Sequence, residues 1–325
     1  MRVVIVGLGS IGHRHARLLA ERDDVQLELC DGSAEVLKGV SPTLQNHKVY
    51  YDYADALASA PEAVFICTPT RLHEQQAVGA LHAGCHVFCE KPMTSSLASA
   101  RTLQKLASTT SLHLNVGFHL HFHEGLLALK KMLGEGRLGQ LLHVHMRVGT
   151  YVTLENSLTR YQREVDGSLF ADYTHQFDLV YWLTGKKPKT VFVQGGEFGA
   201  LRLSSHPNLA DIFLGFDGTL QAHIHLNYIQ APQRHGYELV GTEGWAYLDA
   251  EKNILELHTV RGAIEKYHVS QTKDDIYRAE HEAFFSRLRE NAGQESPPDS
   301  AIIATAIAEA VMGALDSPCL KQIDY

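Results

Sequence analysis

Through the first third of the chain, apolar residues arrive in short blocks. RVVIVG (2–7), VQLELCD (25–31), AVFICT (63–68), HVFCEK (86–91) and LHLNVGF (112–118) read as strands. Apolar spacings of three and four between most of them, roughly 11–22, 71–83 and 94–108, read as helices. Near-continuous apolar strands joined by helices predict a parallel sheet covered on both faces.

The pattern changes near residue 118. A helix over about 124–135 leads into a long strand, GRLGQLLHVHMRVGTYV. An irregular polar segment, 153–167, precedes a strong helix, 168–184, closed by Gly185. Strand patterns then dominate at 190–198, 210–216, 219–228, 236–241, 245–249, 253–260 and 264–269. Turns such as DG at 217–218 and TEG at 242–244 separate them. Two helices, about 275–291 and 299–314, end the chain. The expected organisation is an α/β domain over 1–118 and an α+β domain over 119–325. The second carries a large, mostly antiparallel open sheet, and the closing helices are free to pack back on the first.

Composition changes this picture little. At 325 residues, 45% hydrophobic and 20% charged, the chain reads as a soluble protein of about two domains. A formal charge of −8 argues against a nucleic-acid footprint and against an anionic membrane surface. No uninterrupted apolar stretch reaches the ~18 residues of a membrane span. Glycines break the first apolar run and no small-residue cleavage site follows, so it reads as a strand and not a signal peptide. A cytoplasmic location is the expectation. The odd set Cys30, Cys67, Cys85, Cys89 and Cys319 reads as reduced thiols. His82, Cys85, His86 and Cys89 have metal-like spacing, but on a strand His86 and Cys89 point to opposite faces. No metal is expected.

The strongest chemistry follows the first strand. Gly7-Leu8-Gly9-Ser10-Ile11-Gly12 closes a strand and opens a helix, the context in which G-x-G-x-x-G binds a dinucleotide. Gly7 permits the turn, Gly9 admits the pyrophosphate, and Gly12 lets helix and strand pack. Asp31 ends the second strand, where a carboxylate accepts from ribose hydroxyls and repels a 2′-phosphate. NAD is therefore favoured, with Ser33 and Lys38 leaving NADP open. Thr68 and Pro69 end the next major strand at its ligand-binding end, and His73 starts the following helix. Glu90, Lys91 and Pro92 close the fourth predicted strand.

Together the stretches GLGSIG, TPTRLH, CEKP, VGFHLHFHEGLLALKKMLGEGRLGQLLHV, DYTHQFDLVYWLTG and YELVGTEGWAYLD resemble the Gfo/Idh/MocA oxidoreductases. The resemblance implies a Rossmann domain, a C-terminal sheet domain and an active site in the cleft between them. It implies hydride transfer with NAD(P), on sugars, cyclitols or their derivatives, and assembly as a homodimer or homotetramer through the C-terminal sheet. Gly7, Gly9, Ser10, Ile11, Gly12, Asp31, Thr68, Pro69, His73, Glu90 and Lys91 form the expected cofactor set.

Oxidising a secondary alcohol requires a general base near neutral pKa and a cation beside the developing alkoxide. His175 is the expected general acid/base and Lys91 the donor. On a continuous helix, Asp172, His175 and Asp178 fall at i, i+3 and i+6, with His175 about 60° from each aspartate. Asp172 is expected to position substrate or His175, and Asp178 to pair behind His175 or to cap. The Asp–His spacing of three departs from the commoner family spacing of four, which puts the role of Asp172 in question. The bland alternative is an amphipathic helix with its polar side chains in solvent.

His119, His121 and His123 alternate and would share one face of a strand. His119 and His121, with Tyr151, Arg160 and the catalytic residues, form the expected substrate side. Two other functions stay open. One is a redox-neutral glycoside-cleaving enzyme with tightly held NAD, and the other is a non-catalytic dinucleotide sensor.

Overall fold

The structure, a computed structural model, describes residues 1–156, 161–163, 165–290, 299–315 and 319–325. In chain order the elements begin β1 (Arg2–Val6), α1 (Ser10–Leu19), β2 (Gln26–Cys30), α2 (Ala34–Lys38), β3 (Lys48–Tyr50) and α3 (Tyr53–Ala58). Next come β4 (Ala63–Ile66), α4 (His73–His82), β5 (His86–Cys89), α5 (Leu97–Ser108) and β6 (Leu114–Val116). The chain continues with α6 (Glu124–Gly134), β7 (Leu141–Gly149), α7 (Val152–Asn156), α8 (Ser168–Asp172) and α9 (Thr174–Thr184). Strands β8 (Thr190–Gly196), β9 (Leu209–Gly215), β10 (Gln221–Asn227), β11 (Arg234–Gly241), β12 (Gly244–Asp249), β13 (Ile254–Thr259) and β14 (Ile264–His268) follow. The last elements are α10 (Lys273–Glu290), α11 (Asp299–Leu315) and β15 (Lys321–Gln322). Two compact units result, one of residues 1–119 and 272–305, the other of 120–271 and 306–325.

In the first unit a parallel sheet runs β3-β2-β1-β4-β5-β6. This is the strand order of a doubly wound dinucleotide fold, reversing direction at β1 and β4. Val3, Val4 and Ile5 of β1, and all four residues of β4, are fully buried because helices cover both faces. Phe65 and Phe88 stack at 4.5 Å, and Phe284 and Phe285 of α10 join the same core. The sequence pattern predicts five strands here, and the structure adds a sixth, β3. It is three residues long and mostly exposed, so it carries no apolar periodicity to read.

In the second unit nine strands run β14-β13-β12-β11-β7-β10-β9-β8-β15. Among the described residues, every pairing is antiparallel except β7 with β10. Burial alternates along the strands. Val144, Met146, Ile212, Ile224 and Leu239 are buried on one face, where Gln176 of α9 reaches the hydroxyl of Tyr237. The other face carries aromatic and imidazole side chains. Among the described residues, no helix is long and apolar enough to cross a membrane.

Candidate active site

The glycine loop sits where the sheet reverses. A Cβ on Gly12 would stand 1.8 Å from the Gly7 carbonyl oxygen, and one on Gly7 would stand 2.8 Å from the Cys67 oxygen and the Thr68 nitrogen. Gly7 also adopts φ +88°. A Cβ on Gly9 would meet nothing within 4 Å, so the backbone there opens onto free space. Gly9 is the N-cap of α1 and no side chain caps the helix, nor does its first turn hold an acid. The N–H groups of Ser10, Ile11 and Gly12 thus stand at an electropositive helix end suited to a pyrophosphate. The Asp31 carboxylate accepts from Leu8 N–H at 2.8 Å and Ser33 N–H at 2.9 Å, tying the loop to the end of β2. This donor set and open cradle fit a dinucleotide.

At the end of β5 the chain turns through Glu90-Lys91-Pro92. Glu90 is 5% exposed. One carboxylate oxygen takes the His15 Nε2 contact at 2.9 Å, the other accepts the Lys91 backbone N–H at 3.0 Å. Burial raises its pKa, but the His15 hydrogen bond and the surrounding positive charges outweigh this and hold it below the ordinary carboxylate value. Glu90 therefore faces inward and fixes the turn, while Lys91 is only half-buried. His73 is buried with Nε2 2.7 Å from the Thr68 carbonyl and Nδ1 2.8 Å from the Pro92 carbonyl. It clamps the β4 end to the lysine turn. Thr68 also donates its hydroxyl to Gln76 at 2.5 Å.

In the second unit the expected single helix breaks at Tyr173 (φ −106°, ψ 28°) into α8 and α9. Asp172 and His175 lie on different helices, so the 60° relation computed for one continuous helix does not hold. Helically spaced apolar residues on either side, Leu169 and Phe170 before and Phe177, Leu179 and Val180 after, conceal the break. The Asp172 carboxylate accepts hydrogen bonds from the hydroxyls of Tyr161 and Tyr228 and from Gln162 Nε2. Burial and the Asp172 charge push both phenols to higher pKa, which keeps them protonated as donors. His175 is buried in the first turn of α9. Thr174, Gln176 and Asp178 are buried too, so α9 has no solvent-facing polar stripe of the bland kind.

Asp178, fully buried, pairs with His121 Nε2 at 2.6 Å, a partner outside the two expected options. His121 also stacks on Trp182 at 4.7 Å, and Lys130 lies 4.0 Å over the same indole. The shared-face reading of His119, His121 and His123 fails because 119–122 forms a 3-10 turn and not a strand. His119 stacks on Tyr277 at 4.6 Å, and burial lowers its pKa to about 3. His123 caps α6 by accepting from Gly125 N–H at 3.1 Å. The Tyr151 hydroxyl accepts from Leu203 N–H at 3.3 Å. Arg160 lies outside the described residues. Tyr161, Gln162 and Tyr228 were missed as partners of Asp172. Tyr228 stands 56 positions from it, with no local signal to link the two. Among the described residues, no group of three or more His, Cys, Asp or Glu is disposed to hold a metal.

Comparison with known proteins adds an independent line. A model described as an oxidoreductase family with an NAD-binding Rossmann fold matches residues 1–118. The GFO/IDH/MocA C-terminal domain matches residues 126–247. The chain is 30% identical over 200 residues to a myo-inositol 2-dehydrogenase of Thermotoga maritima, spanning 60% of this chain and 58% of that protein. It is 27% identical over 313 residues to the inositol 2-dehydrogenase of Salmonella typhimurium, 90% of this chain and 87% of that one. The scyllo-inositol dehydrogenase of Lactobacillus casei, solved with NAD(H) and scyllo-inositol, superposes with a TM-score of 0.85 at 22% identity, covering 99% of this chain and 98% of that one.

Proposed function

Because the chain belongs to the Gfo/Idh/MocA oxidoreductases, with their NAD-binding Rossmann domain, we propose that it moves a hydride between NAD and a secondary alcohol or ketone of a sugar, cyclitol or sugar derivative. The observation that carries this reading is the carboxylate-locked turn that places Lys91 at the end of β5, in the same sheet whose β1 end bears the glycine loop. NAD, when bound, supplies the hydride acceptor. Gly7, Gly9 and the first N–H groups of α1 would hold the pyrophosphate, and Asp31 the ribose hydroxyls, which disfavours the 2′-phosphate of NADP. The Lys91 ammonium would donate to the reacting oxygen and stabilise it as it becomes an alkoxide. His175 would take the hydroxyl proton as general base. Asp172, held by its two phenols, would orient the substrate. His119 and His121 are assigned to the substrate side, and Tyr151 to holding its loop.

The purified protein should reduce NAD, and NADP more weakly, with at least one member of a panel of myo-inositol, scyllo-inositol, glucosides and nucleotide sugars. Absorbance at the nicotinamide band reads this. Lys91→Ala and His175→Ala should each lower turnover about 10²–10⁴-fold, the range of a lost acid–base group. Unchanged turnover in Lys91→Ala would remove the catalytic assignment. Glycoside cleavage with no net NADH would instead identify the redox-neutral use of the cofactor.

We also infer assembly as a homodimer or homotetramer through the outer face of the nine-stranded sheet, which presents Phe213 and Trp245 to solvent. A reducing, cytoplasmic setting fits the free thiols, four of them buried.

A further inference from the structure

We propose that a buried Glu90–His15–His281 network is the positioning device for Lys91, fastening the lysine turn to the helix that follows the glycine loop. The inference rests on the catalytic reading of Lys91 above. Three elements meet in the network, all within the first unit: α1 through His15, the end of β5 through Glu90, and α10 through His281. His15 is 0% exposed and His281 1%. His15 Nε2 lies 2.9 Å from Glu90 Oε1, and His15 Nδ1 lies 2.7 Å from His281 Nε2. Phe65, Phe88 and Tyr277 surround the His15 ring at 5.9, 5.3 and 5.4 Å, all edge to face, so the imidazole has no room to turn.

Stability does not explain this arrangement. A buried carboxylate with hydrogen-bonded partners roughly breaks even against an apolar residue of similar volume. What an apolar residue could not supply is an acceptor for the Lys91 N–H and a fixed negative charge beside that residue. A second buried carboxylate, Glu280, adjoins His281 in sequence. Burial, and then the Glu90 charge, push its pKa well above the ordinary value. His281 stays neutral, its pKa driven down chiefly by burial. A carboxylate only accepts, so His15 Nε2 carries its proton toward Glu90. His15 stands five residues beyond Ser10, on the same short helix whose first N–H groups face the proposed pyrophosphate site. Cofactor loop and lysine turn thus share one strut.

His15→Leu removes the strut and His15→Gln restores a donor toward Glu90. The His15→Leu protein should lose about 10–100-fold in kcat, the scale of a small misplacement of a reacting group. Its KM for the best substrate of the panel and its NADH dissociation constant, read by fluorescence, should change by less than about threefold. The His15→Gln protein should recover most of the kcat. Glu90→Gln gives a readout independent of activity. The Lys91 N–H claims the amide oxygen, so the amide NH₂ faces His15, whose proton moves from Nε2 to Nδ1 while His281 passes its own from Nε2 to Nδ1. Nitrogen-15 NMR of the imidazole should show this tautomer change. A double variant, Lys91→Ala with His15→Leu, should be no slower than Lys91→Ala alone, since both act through one group. Multiplicative losses, an unchanged kcat in folded His15→Leu, no rescue by His15→Gln, or an unchanged tautomer would each overturn the network while leaving the Lys91 assignment standing. Full turnover in Lys91→Ala would overturn both.

Discussion

Histidines gather in two places in this molecule, and they are used in opposite ways. In the first unit His15 and His281 are sealed among phenylalanines, His15 bonded to one buried carboxylate and His281 bonded to His15. In the second unit His143, His145, His223 and His225 lie on the outer face of the sheet. There a cross-strand row runs Phe192, Phe213, His223, His145, Glu238, Tyr247, Glu256, Lys266. His223 stacks on Phe213 at 4.5 Å and on His145 at 4.8 Å. Asp211 accepts from His223 at 2.9 Å and from His225 at 2.8 Å. Each cluster sets two imidazoles about one carboxylate, in series through His15 in the first and both directly on Asp211 in the second. Burial separates the two: the inner one is a sealed strut, the outer one lies partly exposed on the sheet face.

The largest expected effect breaks the two apart. Glu90→Ala leaves the Lys91 N–H without its acceptor and His15 without its anion. A buried donor left unsatisfied costs about 1–3 kcal/mol, so Tm should fall clearly and turnover with it. Asp211→Ala removes the matching carboxylate from a half-exposed setting, where an ion pair contributes about 0–1 kcal/mol. Its Tm should move little and its kcat not at all. Equal losses of stability in the two variants would show that burial is not the deciding variable.

Acid should separate the clusters next. Burial first, then His223, His143 and Arg147, lower the His145 pKa to about 4. Facing it are also Glu238 across the strand pair and Asp211 through His223. In the unfolded chain a histidine titrates near 6.5. Between roughly pH 6.5 and 4 the unfolded state binds a proton that folded His145 does not. Stability is therefore complete above that window and falls as pH drops through it, by at most about 1.4 kcal/mol per pH unit for one group. His119, with its pKa at about 3, extends the same loss further down. His145→Gln should flatten the dependence of Tm on pH between these limits. In the folded protein, NMR should show His145 titrating near its lowered value while His281 does not titrate before unfolding. Titration of His281 in the native state would break the contrast.

Much of the first unit was legible because its demands are local. Gly7 and Gly12 each answer a contact within a few residues or at the adjacent strand end, Gly9 leaves open space between them, and the Lys91 turn directly follows its strand. The alternation of the second sheet was legible for the same reason. What the sequence hid were partners far apart. His15 and His281 are separated by 266 positions and Asp172 and Tyr228 by 56, and no pattern along the chain marks such pairs. The break at Tyr173 was hidden by apolar residues on both sides of it. The alternating histidines at 119–123 invited a strand that the chain does not form, because it leaves β6 through a tight turn into the cap of α6.

The smallest stability effect is expected at Phe213, and it tests whether the outer cluster is a surface at all. Phe213 is 46% exposed in the single chain, so Phe213→Ser should cost the isolated fold about 1 kcal/mol or less. If a second copy covers the sheet, the same substitution removes an aromatic contact from each side of the interface and should shift sedimentation toward smaller species. The His145 imidazole would then be sealed in the assembly, and the added burial would make it still harder to protonate. Unchanged sedimentation together with freely titrating His145 would place the outer row in solvent. The comparison between the two clusters would then hold in the assembled protein as it does in one chain.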